Sequence, residues 1–188
     1  MKTNRLEAFS DGVLAIIITI MVLELKVPEG NDLASLSPII PTFVTYILSF
    51  IYLGIYWNNH HHLMHVSEVV NGKVLWANLH LLFWLSLLPF ATGFMGENHF
   101  EQIPTAVYGF VLFMSSIAWT ILIKTLSSHH DEQTKLRKAY KNEWKTHLSL
   151  VLYGLGTAAS FIKPIFAILI YVLVAALWFI PNKTVEKI

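Results

Sequence analysis

The sequence predicts an all-α integral membrane protein, a single bundle of six transmembrane helices. Three observations carry that prediction: charge is scarce, long windows lack charge altogether, and lysine and arginine are distributed unevenly along the chain. Of the 188 residues, 55% are hydrophobic and 13% charged, and the mean hydropathy is +0.56. Soluble domains carry about 25% charged residues. A chain with half that lacks the polar side chains to cover a water-facing surface, and lipid removes the requirement. There is no cysteine, which excludes disulfides, thiolate metal sites and cysteine nucleophiles.

A membrane-crossing helix needs about 20 mostly apolar residues. The first apolar run, Gly12 to Leu23, reaches that length when Arg5 to Asp11 extend it, giving a span over about 5–25. Glu7 and Asp11 stand where the basic region of a signal peptide would be, and no small-residue cleavage site follows. The second span, about 38–59, lies between Asp32 and Asn58. The third, about 74–96, contains His80 as its one ionisable residue. The fourth covers about 103–124. The fifth and sixth, about 146–162 and 164–181, are short, are separated by Lys163, and read as a tight helical hairpin. No internal repeat or second domain is visible, so residues 1–188 read as one membrane domain.

Lysine and arginine set the orientation. With the N-terminus placed inside, eleven of the thirteen fall on inner segments and only Lys26 and Lys163 outside. Both termini are therefore predicted to be cytoplasmic. The polar stretch Ser127 to Lys145 reads as a cytoplasmic helix with a lipid-facing basic surface. Trp57, Trp84, Trp119, Trp144 and Trp178 fall mostly near span ends, as in an interfacial belt.

The first span carries the polar anomaly. It places Arg5, Glu7 and Asp11 in its inner third, where ionised groups need pairing or water. At about 100° per residue, Ile16, Thr19, Ile20 and Leu23 share one face, whereas Ser10 and Asp11 point toward neighbouring helices. An aliphatic stripe on a membrane helix commonly faces lipid or packs against protein. The inward groups need partners, and the sequence offers Trp57, His60, His61 and His62 on span two and Asn78 and His80 on span three. Such a hydrogen-bond network would fix how span one packs.

The pattern Arg5-x-x-x-Phe9-Ser10-Asp11, opening an aliphatic helix, resembles the signature of the transmembrane protein 175 potassium channels of lysosomes and their prokaryotic relatives. Trp57 with its following histidines, Asn78 and the Pro89-Phe90 pair also fit. The likeness extends over the six-span plan, and its specific part is the first-helix motif. The resemblance implies a homotetramer in a bacterial or archaeal plasma membrane, with the first helices lining a central pore. It implies an apolar constriction at Ile16, further rings at Ile20 and Leu23, and a hydroxyl layer at Thr19. It implies K+ as the permeant ion, passed with other monovalent cations and with weak to moderate preference over Na+, and no cofactor, enzymatic activity or nucleic-acid partner.

Three other readings compete. Val107-Tyr108-Gly109 echoes part of a carbonyl filter, but it lies in an unbroken apolar span and the full filter sequence is absent. A metal-binding membrane enzyme could use His60, His61, His62 and His65 with His129 and His130, since His61 and His65 are four residues apart; no HExxH motif supports it. A secondary transporter would show matched Gly or Pro breaks in two halves, and Pro89 and the Gly154/Gly156 pair do not match convincingly.

Overall fold

The computed structural model describes residues 3–67, 70–128 and 144–179. Every regular element among them is helical. α1 spans Asn4–Leu23; a short 3-10 helix, Ala34–Ile39, leads into α2, Ile40–His65. α3, Gly72–Ser86, and α4, Leu88–Glu97, form one broken rod. α5 covers Gln102–Ser127, α6 Trp144–Ser160 and α7 Pro164–Phe179. Counting the broken rod once gives six helices among the described residues. Four are long and apolar enough to cross a membrane: Asn4–Leu23, Ala34–His65, Gly72–Glu97 and Gln102–Ser127. α6 and α7, of 17 and 16 residues, are shorter. The expected cytoplasmic helix at Ser127 to Lys145 lies mostly outside the described residues, as do His129 and His130.

Local chemistry sets the breaks. The Asn71 side chain accepts a hydrogen bond from the Val74 N–H at 3.1 Å and so caps α3. Pro89, in the first turn of α4, has no N–H to offer the carbonyl of Leu85, and the helix parts at Leu87. The hairpin between α6 and α7 closes with the Lys163 N–H on the Ala159 carbonyl at 3.0 Å, and Pro164 opens α7.

α2 packs against α1, α4 and α7 and shows an inverted amphipathicity. Thr42, Thr45, Ser49, Tyr52, Tyr56 and His60 recur at intervals of three and four residues, and all are buried. Phe43, Val44, Ile47 and Phe50 face outward. In a membrane the greasy face meets lipid, and hydroxyls find partners on other helices. Thr92 spends its proton on the Leu88 carbonyl, 2.6 Å away. Its oxygen therefore accepts from Ser49, at 2.7 Å, and Ser49 in turn accepts from the Tyr108 hydroxyl at 3.0 Å. This relay ties α2, α4 and α5 together with no buried charge. The Tyr52 hydroxyl donates to the Tyr171 carbonyl and links α2 to α7.

The tryptophan belt expected from span ends needs correction. Trp119 is buried, edge-on to Tyr56 with ring centroids 6.2 Å apart. Trp84 donates to His80 at 3.0 Å and Trp178 to Ser149 at 2.8 Å, so both are tied into the bundle. Indole N–H groups found internal acceptors, a choice hydropathy does not register.

Two glycines mark close helix approaches. A β-carbon on Gly109 would lie 1.8 Å from the Tyr171 hydroxyl. One on Gly96 would lie 2.4 Å from the α-carbon of Thr42, which is backbone and cannot swing away. Gly96→Ala is therefore expected to force α4 off α2 and destabilise the fold by about 2–3 kcal/mol, at the upper end of overpacking costs. Thermal unfolding in detergent checks this; an unchanged midpoint would show that the two helices have room to spare.

Candidate functional site

α1 divides into two faces. Leu6, Ser10, Leu14, Ile17 and Met21 are buried against α2, α3 and α4. The opposite side is uncovered: Ile16 is 59% exposed, Ile20 43% and Leu23 76%, with Thr19 exposed among them. Arg5 and Phe9 are also exposed. The Thr19 hydroxyl donates to the Ile16 carbonyl at 2.8 Å, which leaves its oxygen lone pairs free to accept or to meet a cation.

The N-terminal half of α1 is held by hydrogen bonds in two separate groups, where the sequence predicted one. The first is buried. Ser10 donates to the Leu6 carbonyl at 2.8 Å and accepts from Asn78 Nδ2 at 2.9 Å. Having used its N–H there, Asn78 accepts through Oδ1 from His60 Nε2, 2.8 Å away. This fixes the tautomer, since Nε2 must carry the proton. His60 Nδ1 is then a bare, buried nitrogen without a partner, a cheaper vacancy than an unpaired N–H would be.

The second group is half-exposed. Trp57 Nε1 donates to Asp11 Oδ1 at 3.1 Å, and His61 Nδ1 lies 2.8 Å from Glu7 Oε1. Asp11 therefore takes the Trp57 indole, one of the partners the sequence offered, as its hydrogen-bond donor, and the histidines bond elsewhere. Glu7 was not foreseen as a member of the network. Its spacing could have revealed it: Glu7, Ser10 and Asp11 lie at i, i+3 and i+4, so they meet neighbouring helices together. His61 stacks near His65, ring centroids 6.4 Å apart, and His62 lies 5.7 Å from His61. Among the described residues, no three His, Cys, Asp or Glu side chains group to hold a metal ion. Tyr108 of the filter-like triplet is buried within the unbroken α5.

Along the C-terminal half of α1, α1 and α4 part to leave a groove of about 630 Å³ lined by Val13, Ile16, Ile17, Ile20, Phe90 and Phe94, with Glu24 and Glu97 also facing it. Glu24 lies against Gly93, where a β-carbon would come within 2.7 Å of its carboxylate. Lys26 and Glu97 form an exposed ion pair at 2.6 Å. The Glu97 carboxylate holds the Lys26 ammonium above its ordinary pKa.

The comparisons with known proteins meet at this helix. The family model described as "Endosomal/lysosomal potassium channel TMEM175" matches residues 5–89, which take in α1 and its anchors. A potassium channel from Chryseobacterium sp. (strain P1-3) is 59% identical over 187 residues, covering 100% of this chain and 97% of that protein. The chain belongs to the TMEM175 family. The crystal structure of a lysosomal potassium-selective channel TMEM175 homolog from Chamaesiphon minutus is similar with a TM-score of 0.83 at 26% identity, over 94% of this chain and 96% of that one. The human endosomal/lysosomal proton channel TMEM175 is 31% identical over 149 residues; these are 70% of this chain and 29% of that protein. TMEM175 is a channel family rather than an enzyme family, which accords with a site built of aliphatic and hydrogen-bonding groups.

Proposed function

We propose that the chain is one subunit of a homotetrameric potassium-permeable channel whose pore is lined by α1. One observation carries the reading. The uncovered aliphatic stripe of Ile16, Ile20 and Leu23 lies on a helix whose N-terminal half is fixed to α3 by the buried Ser10–Asn78 bond, itself continued to α2 through His60. The family's channel description and the potassium-channel relatives support the same reading.

In this arrangement four Ile16 side chains form an apolar neck, with Ile20 and Leu23 as wider rings beyond it. Water and ions lose hydration there without compensation, so the neck closes by dewetting. Small rotations of α1 widen it. Thr19 oxygens partly replace an ion's water shell. The stripe carries no charge, so ions are held weakly, and preference for K+ over Na+ is weak to moderate. The six spans form one membrane domain over 1–188 with both termini cytoplasmic, the orientation that places most lysines and arginines inside.

The test is native mass determination combined with flux in liposomes. A tetramer that releases K+ faster than protein-free vesicles, with some Na+ passage, is the expected result. A correctly assembled tetramer that passes neither ion would overturn the proposal.

A further inference from the structure

One turn of α2 is engaged by two sets of neighbours. Its Trp57, His60 and His61 reach α1 and α3. Tyr56 and Asn59 of the same turn line a small cavity shared with Ser116 of α5, Ser149 of α6 and Trp178 of α7. Tyr56 and Ser116 are only 8% and 4% exposed, and neither hydroxyl has a hydrogen-bond partner among the described residues. Ser116 differs in this from its own helix. Ser115, Thr120 and Thr125 each donate to the carbonyl four residues back, at 2.7–2.8 Å. Asn59 spends Nδ2 on the Ile55 carbonyl at 2.8 Å, which leaves Oδ1 to accept. Ser149 accepts from Trp178 Nε1 at 2.8 Å and keeps its own proton to give.

A buried hydroxyl without a bond costs stability, and native proteins leave few such groups. Several around one cavity point to a shared partner. The space that a water molecule's centre can occupy there is about 20 Å³, and about 10–15 Å³ on that measure suffices for one molecule. No charged side chain lines the cavity, so a cation inside it would stand uncompensated. We propose that the cavity is a hydration site holding one ordered water, which bonds α2 to α5. The water accepts from the Tyr56 and Ser116 O–H groups and donates to Asn59 Oδ1, three bonds, the usual number for an interior water. Ser149 supplies a fourth partner, from α6. The site gives α5 and α6 a polar hold on the turn of α2 whose other side chains anchor α1. It is complete within one chain and needs neither the tetramer nor the pore.

Tyr56→Phe keeps the ring and its edge-on contact with Trp119 and removes the hydroxyl alone. In a dry cavity this deletes an unpaired polar group, so the thermal midpoint of the full-length protein in detergent would hold or rise. With the water in place the midpoint is expected to fall by about 2–4 °C, the shift that loss of one hydrogen bond gives a chain of this length. Ser116→Ala is expected to produce a fall of the same size. The double variant Tyr56→Phe/Ser116→Ala should fall by less than the two shifts added, because both changes act on one water. A map of the wild-type protein fine enough to show ordered water is expected to hold one peak within about 3.2 Å of both Tyr56 Oη and Ser116 Oγ, and the double variant none. An unchanged or raised midpoint for Tyr56→Phe, shifts that simply add, or a wild-type map with the cavity bare or filled by a detergent chain would overturn the site.

Discussion

Ile16→Asn is expected to raise ion leak through the reconstituted channel about tenfold or more, the effect of lowering the barrier by about 1.4 kcal/mol. A ring of isoleucines excludes water, and an ion crossing it is stripped of hydration with nothing in return. Four carboxamides at the same level supply donors and acceptors, wet the neck and remove much of that barrier. A matched control separates this from general damage. Ile47 on α2 is 43% exposed, as is Ile20, but lies on another helix outside the proposed lining. Ile47→Asn is expected to lower yield without raising flux. Equal flux from wild type and Ile16→Asn tetramers would remove Ile16 from the neck.

The second large effect is expected from Asn78→Leu. Asn78 is fully buried and bridges Ser10 of α1 to His60 of α2. Leucine matches its size roughly and replaces neither bond. Two hydrogen bonds disappear and the His60 N–H is left buried without an acceptor, for a cost of about 3 kcal/mol. In a chain of this length that corresponds to a fall in Tm of about 6–12 °C. Asp11→Ala should cost about 1 kcal/mol, because its bond to Trp57 is half in solvent. The ordering is the informative part. If Asp11→Ala lowers Tm more than Asn78→Leu does, the half-exposed pair and not the buried bridge holds α1 in place.

Much of this organisation can be read from residue types. The four long helices follow from charge-free windows, and the unusual inner third of α1 follows from Glu7, Ser10 and Asp11 in an otherwise apolar run. What the sequence conceals is pairing. Nothing local says that Asp11 meets Trp57 while Glu7 takes His61, because the choice depends on how α1 and α2 turn toward each other. The buried relay of Ser49, Thr92 and Tyr108 was missed for another reason: hydroxyl residues barely disturb hydropathy. A signal did exist in the spacing of Thr42, Thr45, Ser49, Tyr52, Tyr56 and His60, a heptad-like polar stripe. It becomes visible only when polarity, rather than grease, is taken as the inward mark of a membrane helix.

The polar bonds of α1 sit almost wholly toward its N-terminal end, whereas van der Waals contacts of Ile17 and Met21 secure the remainder. Mechanically this makes a lever with its fulcrum near Ser10. At about 1.5 Å of rise per residue, Ile16 stands about 9 Å and Leu23 about 20 Å from that fulcrum, so a tilt of about 5° carries them sideways by about 0.8 Å and 1.7 Å. Motion of the rod would therefore be magnified toward its C-terminal end and would barely disturb the bonds that define its pivot.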